Sequence, residues 1–279
     1  MKRRLSVSRT AAIPEPATLL DPIVAIVRSA GDAIVDVYAS SDVGATLKDD
    51  DSPVTRADLA SHRLIVAALG ALTPGVPVLS EEAATISFDE RRRWPAYWLV
   101  DPLDGTREFL ARNGEFTVNV ALIVGHDVAL GVVGVPAQAR IYTGIPGVGA
   151  TRLDGAATPA RISTRRPAAM PVRVVGSRSH RGDSLDAFLA RLGPHELIPT
   201  GSALKFCIVA EGGADVYPRL GPTSEWDTAA AQAVLVAAGG AVVTRDGASL
   251  RYNTKANILN PHFVAYGDAK HDWLTALGD

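Results

Sequence analysis

The sequence predicts an α+β fold, with an antiparallel N-terminal lobe and an α/β C-terminal lobe. Three observations carry that expectation. Alternating apolar and polar residues at Phe116–Val124, Val128–Val135 and Arg140–Thr143 follow one another with only turns between them, which makes a meander. From Val172 onward strands and helices alternate instead. Ahead of the meander, a short apolar run from Tyr97 to Val100 stops at two aspartates, Asp101 and Asp104. A strand that ends this way delivers carboxylates to its C-terminal end, where α/β folds place ligands.

The chain has 279 residues, enough for one large domain or two tightly joined lobes. Apolar residues make up 47% and charged residues 21%, the balance of a soluble globular protein with a large core. A net charge of −2 gives no reason to expect binding to a nucleic-acid polymer. A small anionic substrate would need a local site or metals. Cys207 is the single cysteine, which rules out an intramolecular disulfide and suits a reducing cytoplasm. Met1–Pro16 carries Lys2, Arg3, Arg4 and Arg9 without the apolar core of a signal peptide, and reads as a disordered tail. No stretch approaches the roughly 20 apolar residues of a membrane span. The expectation is a cytoplasmic protein, with peripheral contact to the inner membrane left open, as is the choice between monomer and homodimer.

Leu19–Tyr38 reads as a helix, because Ile23, Ile26, Val27, Ala30, Ile34 and Val37 recur at helical spacing and Asp21-Pro22 suits its start. Ser40–Pro53 is polar around Lys48-Asp49-Asp50-Asp51, either a solvated loop or a mobile flap over a metal site. Thr55–Leu72 is a second helix, with Thr55 and Asp58 at capping-box spacing. His62 has no partner at metal spacing and reads as a packed or surface histidine. Val76–Leu79 is a short strand ending in Ser80-Glu81-Glu82, a second strand end loaded with carboxylates. Ile86–Trp94 reads as a helix with Arg91, Arg92 and Arg93 on its solvated side. Gly144–Gly149 does not join a strand to a helix, so it reads as a hairpin loop rather than a nucleotide cradle.

A boundary falls within Ala150–Arg166, rich in Ala, Thr, Arg and Gly. It divides the chain into a tail (1–16), a lobe with the first carboxylates (17–160) and a lobe with substrate-recognition residues and Asp227 (161–279). In the second lobe, Val172–Gly176, Leu197–Pro199, Asp215–Pro218, Ala241–Thr244 and Phe263–Tyr266 are expected as strands. Ser184–Leu192, Ala203–Glu211, Trp226–Ala238 and Lys270–Leu277 are expected as helices. Asp227 falls in a first helical turn, where the helix dipole alone would favour an acid.

Two carboxylates in one tight turn repel each other, which points to a cation between them. The Asp101-Pro-Leu-Asp104-Gly105-Thr106 turn therefore suggests a hard divalent metal, with a phosphate over Gly105 and Thr106; it also reads as a polar turn with an Asx cap. The assembled acids are Glu81, Asp101, Asp104 and Asp227, with Asp58 near a hydroxyl. All are oxygen donors without a paired His or Cys, which selects Mg²⁺, Mn²⁺ or Ca²⁺ over zinc. A haloacid-dehalogenase-like phosphatase needs Asp-x-Asp, whereas Asp101 and Asp104 are three apart. An EF-hand loop from Asp101 would need an oxygen side chain at Leu103.

Ser80-Glu81-Glu82, Asp101-Pro-Leu-Asp-Gly-Thr106, Trp226-Asp227-Thr-Ala-Ala230 and Ala238-Gly-Gly240 stand in an order that resembles the inositol monophosphatase superfamily of metal-dependent, lithium-sensitive phosphatases. Within it, the chain is most similar to the CysQ-type 3′(2′),5′-bisphosphate nucleotidases. That likeness rests on Ser52-Pro-Val-Thr-Arg-Ala-Asp58, Arg107-Glu-Phe109, Asn113-Gly-Glu-Phe-Thr-Val-Asn119, Ser177-Arg-Ser-His180, Gly201-Ser-Ala-Leu-Lys-Phe-Cys207 and Ala214-Asp-Val-Tyr-Pro-Arg219. The resemblance runs from about Leu19 to the C-terminus and leaves the N-terminal tail without a counterpart.

The resemblance implies a layered α/β/α/β/α sandwich and hydrolysis of the 3′-phosphate of adenosine 3′,5′-bisphosphate to AMP, in sulfur assimilation or nucleotide recycling. The related sulfated nucleotide PAPS is a further expected substrate. Two or three Mg²⁺ ions are implied, with Mn²⁺ substituting and Li⁺ and Ca²⁺ inhibiting. By the resemblance, Glu81, Asp101 and the Leu103 carbonyl hold one ion, and Asp101, Asp104 and Asp227 a second. Asp58 orients the Thr106 hydroxyl toward the attacking water. Gly105 and Thr106 amides bind phosphate oxygens, and the carboxylates and Leu103 border the substrate. Ser177, His180, Ser202, Lys205 and Arg219 are the candidates for the nucleotide side, with Lys205 and Arg219 on the second phosphate. Inositol monophosphate, histidinol phosphate or fructose bisphosphate as substrate, and an inactive metal-binding homologue, are the competing readings.

Overall fold

The computed structural model describes residues 15–47, 53–178 and 183–277. The expectations for residues 1–14 of the N-terminal tail, for Lys48–Asp51 and for His180 lie outside the described residues; Glu15 and Pro16, expected in the tail, instead cap and start the first helix.

Helix α1 (Pro16–Tyr38) buries Leu19, Ile23, Val27, Ala30 and Ile34 along one stripe. It starts earlier than Asp21-Pro22 suggested. Pro16 occupies the first turn, where its missing N–H costs no bond, and Pro22 lies inside the helix. Short strands β1 (Thr46–Leu47) and β2 (Pro53–Val54) pair antiparallel within the segment expected to be a loop. Helix α2 (Arg56–Leu72) is capped by Thr55. Strand β3 (Val78–Ser80), the single-turn helix α3 (Phe88–Arg91), strand β4 (Ala96–Asp104) and the short helix α4 (Thr106–Leu110) follow. The expected helix at Ile86–Trp94 shrinks to one turn, and Arg91 is buried rather than solvated. Its guanidinium donates to the Lys255 carbonyl at 3.0 Å and also bonds Asn253 and Ala256, so loop acceptors replace water.

The meander comprises β5 (Thr117–Val124), β6 (Asp127–Val135), β7 (Arg140–Ile145), β8 (Gly149–Asp154) and β9 (Ala160–Ile162). It extends two strands beyond the sequence reading. Strands β8 and β9 lack a clean alternation because they are half-buried at the sheet edge, so pairing reveals them and pattern does not. With β3 and β4 the meander forms a seven-stranded sheet, ordered β3-β4-β5-β6-β7-β8-β9, parallel between β3 and β4 and antiparallel elsewhere.

Strand β10 (Val172–Ser177), helix α5 (Asp183–Leu192), strand β11 (His195–Thr200), helix α6 (Leu204–Ala210), strand β12 (Val216–Arg219), helix α7 (Glu225–Ala237) and strands β13 (Ala241–Thr244) and β14 (Phe263–Tyr266) complete the chain. They make a five-stranded sheet ordered β11-β10-β12-β14-β13. It is parallel across β11, β10 and β12 and antiparallel around β14. The expected helix at Lys270–Leu277 is reduced to a 3₁₀ turn at Thr275–Leu277. Trp273 stacks on Tyr266 and donates its indole N–H to the Asp268 carbonyl at 2.7 Å, which pins the chain down before a helix can run.

The layers follow from which faces are apolar. Helices α1 and α2 cover one face of the seven-stranded sheet. Helices α6 and α7 fill the space between the two sheets. Helix α5 and the C-terminal turn cover the outer face of the five-stranded sheet. The result is an α/β/α/β/α sandwich. Helix α7 lies almost in contact with the meander backbone. A Cβ at Gly131 would sit 2.1 Å from the Ala230 carbonyl oxygen, and one at Gly144 would sit 2.4 Å from the Val234 Cα. Glycines on the sheet and alanines on the helix permit that approach.

Candidate active site

The acids gather because one strand breaks its own alternation. Side chains on a strand alternate between faces, so residues three apart point opposite ways. Along β4, Tyr97 and Leu99 face the space between the sheets, while Trp98 and Val100 face α1 and α2. Asp101 pairs with Asn119, yet Asp104 pairs with Thr117, so three steps on β4 match two on β5. That bulge, at Pro102-Leu103, restores Asp104 to the face of Asp101. The sequence reading ended the strand at Val100; it runs on to Asp104. The register Ser80↔Val100 brings Glu81 beside the same end, and His62 Nδ1 meets Ser80 Oγ at 2.8 Å. Asp227 arrives from the first turn of α7.

Asp101 and Asp58 are both 2% exposed or less. Burial pushes the Asp101 carboxyl well up, and repulsion from Glu81, Asp104 and Asp227 pushes it further. Burial, then Asp227, raises the Asp104 carboxyl to about 7. Burial likewise raises Asp227. Among the described residues, each of the three aspartates accepts protein hydrogen bonds on one oxygen only: Asp101 Oδ1 from Leu103 N–H at 3.0 Å, Asp104 Oδ2 from Ala203 N–H at 2.5 Å, and Asp227 Oδ2 from Ser224 N–H at 2.9 Å. The Asp101 bond is an Asx turn, so the polar-turn feature coexists with the acidic cluster. Among the described residues, no three His, Cys, Asp or Glu side chains enclose a single point. Lys205 offsets part of the repulsion at Asp104 and Asp227, and Arg219 part of that at Asp227; a hard divalent cation among the acids would offset the rest. The donor set fits such an ion.

Asp58 divides its two oxygens. Oδ2 accepts from Thr55 N–H at 2.7 Å and from Thr55 Oγ1 at 2.6 Å, which closes the helix cap. Oδ1 accepts from Thr106 Oγ1 at 3.3 Å. Burial raises this carboxyl too, against the Thr55 bonds that lower it. Gly105 holds φ 91°, a left-handed value that a side chain would oppose, and starts α4.

Glu81, Asp104, Gly105, Thr106 and Asp227 line a cavity of about 220 Å³, together with Ser177, Ser202, Lys205 and Arg219. Asp101 and Leu103 lie buried behind it. Lys205 donates to the Ser202 carbonyl at 2.6 Å and stands 5.3 Å from the Tyr217 ring centre. Burial depresses its ammonium to about 8, against the pull of Asp104. Arg219 bonds the Pro222 carbonyl, and its Nε is buried without a partner among the described residues. Sequence reasoning missed Tyr217, Thr223 and Ala203. Tyr217 lies inside a quoted motif but without a role. Thr223 donates to Asp227 Oδ2 at 2.8 Å, and the Ala203 contact is backbone and carries no residue signature.

An acid cluster under a phosphate-sized cavity in this sandwich defines a phosphatase-like site. The inositol monophosphatase family model matches residues 15–276. The chain belongs to the inositol monophosphatase family, whose members are metal-dependent phosphatases. The 3′(2′),5′-bisphosphate nucleotidase CysQ of Salmonella typhimurium is 46% identical over 246 residues, covering 88% of this chain and 98% of that protein. CysQ of Haemophilus influenzae is 36% identical over 258 residues, covering 91% and 95%. The crystal structure of CysQ from Bacteroides thetaiotaomicron superposes with a TM-score of 0.78 at 39% identity, covering 90% and 97%. An inositol monophosphatase from Anabaena gives 0.74 at 25% identity, covering 94% and 95%.

Proposed function

We propose that the protein is a metal-dependent 3′(2′),5′-bisphosphate nucleotidase that converts adenosine 3′,5′-bisphosphate to AMP and phosphate. The observation that carries this reading is one cavity lined by carboxylates and by two cations, buried Lys205 and half-buried Arg219. A monoester needs the acids and their ions; a second phosphate gives the two cations an anion to pair with. The near-full-length match to CysQ proteins supports the same choice.

Glu81, Asp101, Asp104, Asp227 and the Leu103 carbonyl would hold Mg²⁺, in two or three ions, with Mn²⁺ able to replace it. When bound, the ions supply charge neutralisation at the phosphate and acidification of the attacking water. The remaining roles belong to the chain. Thr106 Oγ1, its proton committed to Asp58 Oδ1, offers a lone pair to the water. It thereby aligns the water with the phosphorus and passes its proton toward Asp58. The Gly105 and Thr106 amides cradle phosphate oxygens. The water oxygen bonds to phosphorus, the bond from phosphorus to the 3′ oxygen breaks, and that oxygen takes a proton from solvent water while Asp58 returns its own to solvent. Ser177, Ser202, Lys205 and Arg219 border the nucleotide side.

Phosphate release from a panel tests the assignment. Adenosine 3′,5′-bisphosphate should be turned over far faster than inositol 1-phosphate with Mg²⁺, and PAPS should also be dephosphorylated. Millimolar Li⁺ and Ca²⁺ should inhibit. A large preference for the inositol ester would sink the nucleotidase reading.

A further inference from the structure

The Gly201-Ser202-Ala203 turn, between β11 and α6, touches both sides of the cavity. Its Ala203 N–H donates to Asp104 Oδ2 at 2.5 Å, and its Ser202 carbonyl accepts from Lys205 Nζ at 2.6 Å. The turn is not relaxed. Ser202 has φ 45°, a left-handed value that residues with a side chain avoid. Its hydroxyl is buried and has no partner among the described residues, while the residue lines the cavity. A conformation of this kind persists only where its surroundings enforce it.

Glu115 and Arg178 do the enforcing. Glu115 lies in the loop before β5, and its own N–H is fixed on Asn113 Oδ1 at 2.9 Å. Its Oε2 accepts from Gly201 N–H at 2.8 Å and from Arg178 Nε at 2.9 Å; its Oε1 accepts from Arg178 Nη2 at 2.7 Å. Arg178 follows β10 directly and also donates to the Pro199 carbonyl at 2.8 Å. The fork therefore grips the chain on both sides of Thr200. There is no space for slippage. A Cβ on Gly201 would lie 2.6 Å from Glu108 Cγ and 2.9 Å from the Glu115 carbonyl oxygen, and one on Gly105 would lie 3.3 Å from that same oxygen. The Gly105 turn, the Glu115 backbone and the Ser202 turn are stacked on one another.

We propose that Glu115 and Arg178 are a positioning pair that sets substrate selectivity. They hold the Gly201–Ala203 turn so that the Ser202 hydroxyl and the Lys205 ammonium face the second phosphate of a nucleoside bisphosphate. The proposal rests on the nucleotidase reading. The charge-assisted bond from Gly201 N–H to Glu115 is its key element, because that bond, and not the ion pair alone, sets the turn.

Glu115→Gln and Arg178→Lys should each raise KM for adenosine 3′,5′-bisphosphate about tenfold. Hydrolysis of p-nitrophenyl phosphate, which carries one phosphate, should stay within about twofold of wild type. Arg178→Lys keeps the charge but loses the fork, so it carries the test if Glu115→Gln fails to fold. The charge-swapped double variant Glu115→Arg/Arg178→Glu should regain melting temperature but not KM, since a guanidinium has no acceptor for Gly201 N–H. An unchanged KM, an equal loss on both substrates, or recovery of KM in the swap would overturn the proposal while wild-type selectivity stands. A wild type that does not prefer the bisphosphate over p-nitrophenyl phosphate would overturn the nucleotidase reading, and the proposal with it.

Discussion

In the proposed site, Asp104 would serve folding badly and chemistry well. Its carboxyl is pushed up to about 7, by burial first and by Asp227 next, so keeping it charged opposes folding of the metal-free protein. Asp104→Asn preserves the acceptor for Ala203 N–H and removes the repulsion. Turnover should fall by about 10²–10³, the scale of losing an electrostatic stabiliser, while the metal-free melting temperature stays level or rises. Unchanged turnover would contradict the ligand role. At this scale the acids were legible because paired carboxylates beside a strand end repel each other, and a stable fold seldom keeps them without a cation. Asp58 looked like a helix cap and is one; only the structure shows that its second oxygen reaches Thr106. The Ala203 donor could not be read at all, since every non-proline residue has an N–H.

The placement of those acids is decided by elements. The β4 bulge returns Asp104 to the face of Asp101, a change of parity that no periodicity of the apolar residues announces. Its only trace in the sequence is Pro102, a residue that strands tolerate at bulges. Helix α7 is read more easily, from its run of alanines, but its depth is set by glycines on the facing strands. Gly144→Ala would drive a methyl to 2.4 Å from the Val234 Cα. The helix must then lift, at a cost of about 1–3 kcal/mol. A fall in the urea midpoint at constant slope would show it, and a midpoint equal to wild type would mean that the helix is not held this closely. The edge strands β8 and β9 escaped the sequence because their half-exposed residues have no alternation to detect.

For the whole molecule, the α+β class followed from the meander and the later alternation, and the order of layers came from family resemblance rather than from pattern. Which residues join the halves was not legible, because pairs such as Glu115 and Arg178 are far apart in sequence and ordinary in type. Burial alone would raise the Glu115 carboxyl, but hydrogen bonds from Arg178 and Gly201 outweigh it and hold it below its ordinary 4.5. A depressed carboxylate stabilises the fold above that ordinary value and loses its contribution as pH falls through the folded value. The stability gap between wild type and Glu115→Gln, measured in urea, should therefore be full near neutrality and shrink as pH falls below that ordinary value; a gap constant with pH would refute the coupling. Mg²⁺ should raise the melting temperature of wild type, by linkage to a site absent from the unfolded chain, and should raise that of Asp104→Asn much less. Equal shifts would place the ion elsewhere. Among the described residues no helix is long and apolar enough to cross a membrane.

Helix α7 is roofed by one sheet and floored by the other, with its backbone almost touching the meander. In hydrogen–deuterium exchange its amides should be among the last to exchange, opening only with global unfolding. Asp227, in the first turn, is anchored on the end of that slowly exchanging helix, so fluctuations that open the cavity would have to come from the loops at its rim. Rapid exchange along α7 would show a looser centre than this packing allows.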